Sequence, residues 1–367
     1  MHKQTRALFS AYVSQIALLN SVDDATVTFA VDPTIEQTLE EKMQEGTEFL
    51  QLINVVPVTQ QAGQAVGIET SSTIAGRTDT SGAGERNPAD PTGSAGNTYM
   101  CTQTNYDWSV RYAKLDAWRH KENFELILRN AILKQQARDR IMIGWNGTSI
   151  AATTNRVANP LLQDVNEGWL HKIRTRAPAQ VFDDGNLTVL SNGANNGALD
   201  AIYVGAGTLY NGANATTGEV DYASIDALVL DAKRLLPEWH RGDTELVVVV
   251  GHDLVDDKYF QIAQGAGTTA TEVEATDRII RSSKQMGGLP AVRVPFFPAN
   301  ALLITRLDNL SIYVQEGTRR RRLEDEPKKD RIANYESVNE DYVVEDLDLV
   351  ALVENIVIGK AAARPAP

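Results

Sequence analysis

The spacing of apolar positions divides this chain into helical, strand-like and featureless stretches. Across residues 5–20, Leu8, Tyr12, Ile16 and Leu19 recur at three- and four-residue intervals, which predicts an amphipathic helix. Residues 21–31 lose that period and read as an extended linker. Asp32-Pro33 restarts a helix, because Asp is a favoured N-cap and Pro a favoured first helical residue. Ile35, Leu39 and Met43 form its apolar face, Gly46 ends it, and residues 53–58 predict a strand. The clearest helix is 121–144, with Phe124, Ile127, Leu128, Ala131, Ile132, Ile141 and Met142 on one face and Lys134, Arg138, Asp139 and Arg140 on the other. At 1.5 Å per residue it would be roughly 36 Å long.

Between these lies a stretch of different character. Residues 62–105 are dominated by Gly, Ser, Thr, Ala and Pro and hold few large apolar groups, too few to bury a core of their own. The strand-like flanks, 64–68 and 106–112, are placed to pair as a two-stranded ribbon with an irregular tip. A loop of this length without a core either lacks fixed structure or reaches another molecule.

The middle of the chain alternates strand and helix. Residues 201–204 predict a short strand between Asn-Gly turns at Asn192-Gly193 and Asn211-Gly212. A helix over 224–236 is capped by Ser224, with Ile225, Leu228, Val229, Ala232 and Leu235 inward. The β-branched run 246–250 predicts a central strand buried on both faces. Helices follow near 254–264 and 272–285, the second stopping at Gly287-Gly288. The closing sixty residues read as strands joined by charged turns, in which Arg319, Arg320, Arg321 and Arg322 are answered at once by Glu324, Asp325 and Glu326.

Four motifs, in order along the chain, carry a resemblance. They are Asp32-Pro33-Thr34-Ile35-Glu36-Gln37-Thr38-Leu39 through Pro57-Val58; Gly144-Trp145-Asn146-Gly147-Thr148 through Asn159-Pro160-Leu161-Leu162-Gln163-Asp164-Val165-Asn166 and Gly168-Trp169-Leu170; residues 302–313; and residues 335–356. Together, over residues 5–358, they resemble the major capsid proteins of P2-like tailed phages. The resemblance implies the mixed α/β capsid fold named for phage HK97. Its expected parts are an N-terminal arm (1–60), an extended loop (61–113), a peripheral domain with a long spine helix (114–180 and 306–358), an axial domain (181–305) and a C-terminal tail (359–367). It implies self-assembly into pentamers and hexamers that close an icosahedral shell around double-stranded DNA. The implied partners are further copies of the chain, a scaffold that doubles as maturation protease, a portal protein and decoration proteins. Residues 1–31 would contact the scaffold and be trimmed, or else stay on and pack under a neighbour. Some capsids of this fold weld subunits through a loop lysine, yet residues 60–113 contain no lysine, so that crosslink is not expected here.

Composition narrows the remaining choices. A chain of 367 residues, 43% apolar, is long enough for one large or two ordinary domains. Its one cysteine, Cys101, forms no intrachain disulfide and suits a reducing compartment. Ser14 and Gln15 interrupt the N-terminal apolar stretch, so no signal peptide is read there, and no transmembrane span or membrane partner is expected. A net charge of −13 argues against a general nucleic-acid binder but suits a container that encloses DNA, as it also suits many soluble bacterial proteins.

Catalytic chemistry is weakly supported. None of His2, His120, His171, His240 and His252 has the i, i+4 spacing of a helical metal pair, so neither a metal nor a cofactor is expected. Gly251-His252-Asp253 follows the buried strand as a general base would, but Asp253 reads better as a helix cap and no nucleophile motif lies near. Gly205-Ala206-Gly207 reads as a turn. The candidate contact residues are therefore Arg319, Arg320, Arg321, Arg322, Glu324, Asp325 and Glu326, read as inter-subunit ion pairs. A phosphate clamp and a solvated loop are the alternatives for that block. Each exposed pair contributes roughly 0–1 kcal/mol, so its value would lie in register and partner choice. Beside the shell reading stand an encapsulin-like nanocompartment shell and a soluble α/β enzyme.

Overall fold

The computed structural model describes residues 3–20, 22–31, 33–45, 47–64, 75, 77, 79, 81, 97–118, 124–184, 201–205, 221–255 and 284–358. In chain order the first elements are α1 (Lys3–Leu19), β1 (Phe29–Ala30), α2 (Pro33–Glu45), β2 (Asn54–Val58), β3 (Ala62–Gln64), β4 (Thr98–Met100), β5 (Thr102–Asn105) and β6 (Trp108–Arg111). Then come α3 (Tyr112–Trp118), α4 (Phe124–Asn146), α5 (Trp169–Arg176), β7 (Val181–Phe182), β8 (Ile202–Val204), α6 (Ile225–Ala232), α7 (Glu238–Arg241) and β9 (Val247–Val250). The chain closes with β10 (Gln285–Met286), β11 (Leu289–Arg293), β12 (Leu302–Thr305), β13 (Leu310–Gln315), β14 (Arg320–Glu326), β15 (Arg331–Val344), β16 (Ala351–Val353) and β17 (Ile356–Ile358).

Two sheets organise these elements. The first runs β1-β14-β15-β13-β2, with β5 and β6 also paired to β15. Its backbone is β15, 14 residues long, antiparallel to β13, β14, β5 and β6 in turn. The second runs β10-β11-β9-β12-β16-β7. Its centre, Val247–Val250 against Leu302–Thr305, is almost wholly buried, as an apolar strand covered on both faces requires. Within 306–358 the pairing divides: β13 to β15 stay in the first sheet, whereas β16 joins the second sheet and β17 pairs with β8. The closing strands do not form one body, because the all-apolar Ala351–Val353 can bury both faces only in the second sheet.

The main core lies between the first sheet and helices α2, α4 and α5. At its centre Trp169 meets Trp145 at 4.9 Å, Tyr342 at 5.4 Å and Phe49 at 6.3 Å between ring centroids. The Trp169 indole N–H donates to the Ser311 carbonyl at 3.0 Å, so the ring is buried without stranding its polar atom. A second core packs α6 onto β9, β12 and β16. Ser224 caps α6 through its hydroxyl, which accepts from Ala227 N at 3.3 Å.

Several expectations from the sequence need correcting. The ribbon at the base of the long loop pairs β3 with β4, not with 106–112, because β6 is taken by the Arg331–Asn334 end of β15. Gln285–Met286 is not a helix end. Gly287 (φ +54°) and Gly288 (φ +79°) make the tight left-handed turn of a hairpin to β11. His252 already lies in the helical turn 252–255, so Asp253 sits within it and is not its cap. In α4 the buried side chains are Leu133, Gln136, Ala137, Arg140, Ile141, Ile143 and Trp145, whereas Ile127 and Ala131 are exposed. Arg140, expected on the outer face, is 1% exposed. The side chains of Phe124, Leu8 and Leu19, residue Asp32, the Asn-Gly turns at 192 and 211, the loop tip, and most of the helices expected at 254–264 and 272–285 lie outside the described residues.

Gly144 lets α4 approach Trp169: a Cβ there would lie 2.3 Å from the ring. Gly144→Ala should therefore lower the stability of the fold by about 1–3 kcal/mol. Urea unfolding checks this, and an unchanged midpoint would contradict the packing described.

Candidate functional site

Four elements converge on a group of buried charges. Glu36, Glu40 and Met43 recur at three- and four-residue intervals and look inward from α2. Gln136 and Arg140 are one turn apart on α4. Alternate residues of β15 bring in Glu336, Glu340 and Tyr342, and the turn before β14 supplies Arg319.

Arg140 holds Glu40 with both terminal guanidinium nitrogens, Nη2 at 3.1 Å from Oε1, and places Nε 2.8 Å from Glu340 Oε2. Arg319 donates from Nη1 to Glu40 at 2.7 Å and from Nε to Glu336 at 2.9 Å. Gln136 donates to Glu336, and the Tyr106 hydroxyl donates to Glu340. Two guanidiniums thus face three carboxyls inside the core. Burial pushes the Glu340 carboxyl up, an effect only partly offset by Arg140. Burial also opposes ionisation of Glu40 and Glu336, but Arg140 and Arg319 hold the first below its ordinary value, and Arg319 and Arg321 hold the second below its own. Within one network, then, folding raises one carboxyl, Glu340, and lowers the other two.

A second buried pair holds the base of the long loop. Lys172 Nζ on α5 lies 2.6 Å from Asp341 Oδ1, and Asp341 Oδ2 accepts from Met100 N at 3.0 Å. Arg176 donates to Asn97 Oδ1 at 2.6 Å and to the Thr98 carbonyl at 2.8 Å. The outgoing strand β3 and the returning strand β4 are therefore fixed to the sheet, where Tyr99 packs on Tyr313 at 4.9 Å. Cys101 lies beneath them, its thiol pushed up to about 12 by burial and the nearby Asp341 and Glu340, which makes it unreactive.

The candidate contact residues separate into two groups. Arg319 is fully buried and is consumed by Glu40 and Glu336 within its own chain, so it is no inter-subunit contact. Its desolvation would be prohibitive without those partners. Arg321 is half-buried against Asn334 and Tyr12 of α1. Asp325 accepts from the Tyr112 hydroxyl, and Glu326 from Arg331 and Tyr335, which hold its carboxyl down to about 2. Arg320 and Arg322 are exposed, on the same face of β14, and Arg322 lies 3.5 Å from Glu324. Sequence reasoning missed Glu40, Arg140, Glu336 and Glu340. The signal was present in α2, where Glu36 and Glu40 flank the apolar positions, and in β15, where acids alternate with Val338 and Tyr342.

Among the described residues, His240 lies 3.5 Å from Asp346 and His252 2.8 Å from Asp253, and no cluster of His, Cys, Asp or Glu is arranged to hold a metal ion. No described helix is long and apolar enough to cross a membrane.

Residues 8–356 match the family described as phage major capsid protein, P2 family. The capsid protein of Escherichia phage P2 is 45% identical over 100% of this chain and 99% of its own length. The major capsid protein of Serratia phage KSP20 is 41% identical over 97% of each. Among solved structures, a chain of the satellite phage P4 procapsid that includes the size determination (Sid) protein superposes with a TM-score of 0.77 at 43% identity, over 98% of this chain and 99% of that one.

Two outcomes test the buried network. Arg140→Met would leave Glu340 without its cation and Glu40 with Arg319 alone, and should cost about 3–5 kcal/mol by urea unfolding. The pH response has two signs. Glu40 and Glu336 are depressed by folding, so their stabilisation is complete above their ordinary value of 4.5 and is lost as pH falls below it. Glu340 is raised, so its contribution is full below 4.5 and is lost as pH rises through the folded value. Glu340→Gln should therefore raise the Tm of the unassembled subunit near neutral pH relative to wild type. Glu336→Gln should flatten the acid-side decline, and differential scanning calorimetry across the acid range reads both.

Proposed function

The chain belongs to the P2 family of phage major capsid proteins, and from that premise we propose how its parts build a shell. It is a major capsid protein of a P2-like phage with the HK97-like capsid fold, its place is the virion capsid, and its family is one of structural proteins. Copies form pentamers and hexamers that close an icosahedral shell around double-stranded DNA. The observation that carries this reading is the chain-long superposition on a procapsid subunit. Assembly takes place in the host cytoplasm, on a scaffold that also matures the particle, with a portal at one vertex and decoration proteins as further partners.

The first sheet with α4 and α5 serves as the peripheral domain (114–180 and 306–358), and the second sheet with α6 serves as the axial domain (181–305), which β16 and β17 cross back to complete. The loop 61–113 reaches a neighbouring subunit. Its clamped base supports this, since a lever needs a fixed root. The acidic balance supports enclosure of DNA and not sequence-specific binding. Within the arm (1–60), residues 1–31 contact the scaffold and are trimmed. Two features support a detachable arm: α1 docks through one stripe, Tyr12, Val13, Ile16 and Ala17, onto Leu323 and Ile332, and Leu18 is left exposed.

Electron microscopy of the full chain expressed alone, and then with the scaffold of the same virus, tests the reading. Closed uniform shells are expected with scaffold, and their intact mass should be short by the trimmed segment. A monodisperse monomer or dimer in both conditions would overturn the shell, and full-length mass in mature particles would overturn the trimming.

A further inference from the structure

The first sheet carries opposite charges on its two sides. At the β2 end, a notch of about 200 Å³ opens between α2, β2 and β13. Its walls are Val55, Pro57 and Val314, and its carboxylates are Glu36, Glu41 and Glu316. Glu40 also borders it, but Arg140 and Arg319 already hold that carboxylate. Glu41 and Glu316 are exposed and have no partner among the described residues. Glu36 is 5% exposed and accepts from Gly317 N at 3.2 Å through one oxygen, while the other, Oε1, is buried with no partner. A carboxylate buried with a bare oxygen is costly unless it takes up a proton or a cation compensates it, and burial pushes the Glu36 carboxyl up until such a cation arrives. The carboxyls are not set to ligate a metal ion, so the matching cation is a side chain. At the other end, β14 presents Arg320 and Arg322 on one exposed face, and Arg320 has no partner among the described residues.

Resting on the capsid reading above, we propose that the acidic notch of one subunit receives Arg320 and Arg322 of a second copy of this chain. Acid and base lie towards opposite ends of the strand order β1-β14-β15-β13-β2, so one subunit cannot satisfy itself and the contact runs head to tail. Such a heterologous contact closes into a ring when its rotation permits, which is the geometry a capsomer needs. The planar guanidinium suits a site with several carboxylate oxygens better than a lysine would. The apolar walls accept the arginine stem and exclude water from the pair.

Charge reversal tests the pairing in the full chain co-expressed with its scaffold. Arg320→Glu with Arg322→Glu, and separately Glu41→Lys with Glu316→Lys, should each lower shell yield about tenfold at a concentration where wild type assembles. The quadruple variant should recover it. Sedimentation velocity and electron microscopy give the yield, and circular dichroism of unassembled subunits controls for folding. A double variant that assembles like wild type, or a folded quadruple variant without recovery, overturns the proposal. If the quadruple variant does not fold, the same positions changed to Gln form a double-mutant cycle, in which coupling supports the contact and additivity overturns it. Wild type that forms no shell removes the capsid reading itself. Wild-type shells with indifferent variants remove only the pairing.

Discussion

The architecture rests on keeping Arg140 and Arg319 out of water without leaving either charge unmet. Each guanidinium is held by carboxylates from more than one element, so α2, α4, the turn before β14 and β15 can be placed only together. An apolar core of equal volume would tolerate small shifts between helix and sheet. A charge network does not, because a lost partner leaves a bare ion in a low dielectric. We read the network as a device that fixes geometry more than one that adds stability. A shell subunit needs that property, since a small error in one copy is repeated in every copy.

Much of the frame was legible in the pattern of apolar positions. The restart of helix at Pro33, the long α4, the Ser224 cap and the buried Val247–Val250 strand all follow from local rules that tertiary contacts did not override. What stayed hidden depended on partners far away in sequence. Arg140 looked like a solvent-facing residue because periodicity scores charge as polar, and only Glu40, 100 residues before it, and Glu340, far along the chain, make it a core residue. Arg319 looked like the first member of an exposed run for the same reason. The ribbon was misread because β6 had a competing partner in β15, which no local signal announces. Gly287-Gly288 can end a helix or turn a hairpin, and the chain uses the hairpin.

Two regions around the first sheet are held fast. Around Trp169 and Tyr342 the rings interlock and the backbone of β15 is paired for its whole length. Lys172, Asp341 and Arg176 tie the loop root, so β3 and β4 are fixed to the sheet where the chain leaves and rejoins it.

Glu40 and Arg319 are 279 positions apart, yet each is buried against the other. During synthesis, α2 and α4 leave the ribosome long before Arg319, Glu336 and Glu340 exist, and until then Glu40 and Arg140 have no complete site to enter. A chain broken off before β15 therefore cannot close its core around these ions. The arrangement acts as a test of completeness: only a polypeptide translated through β15 can close this core.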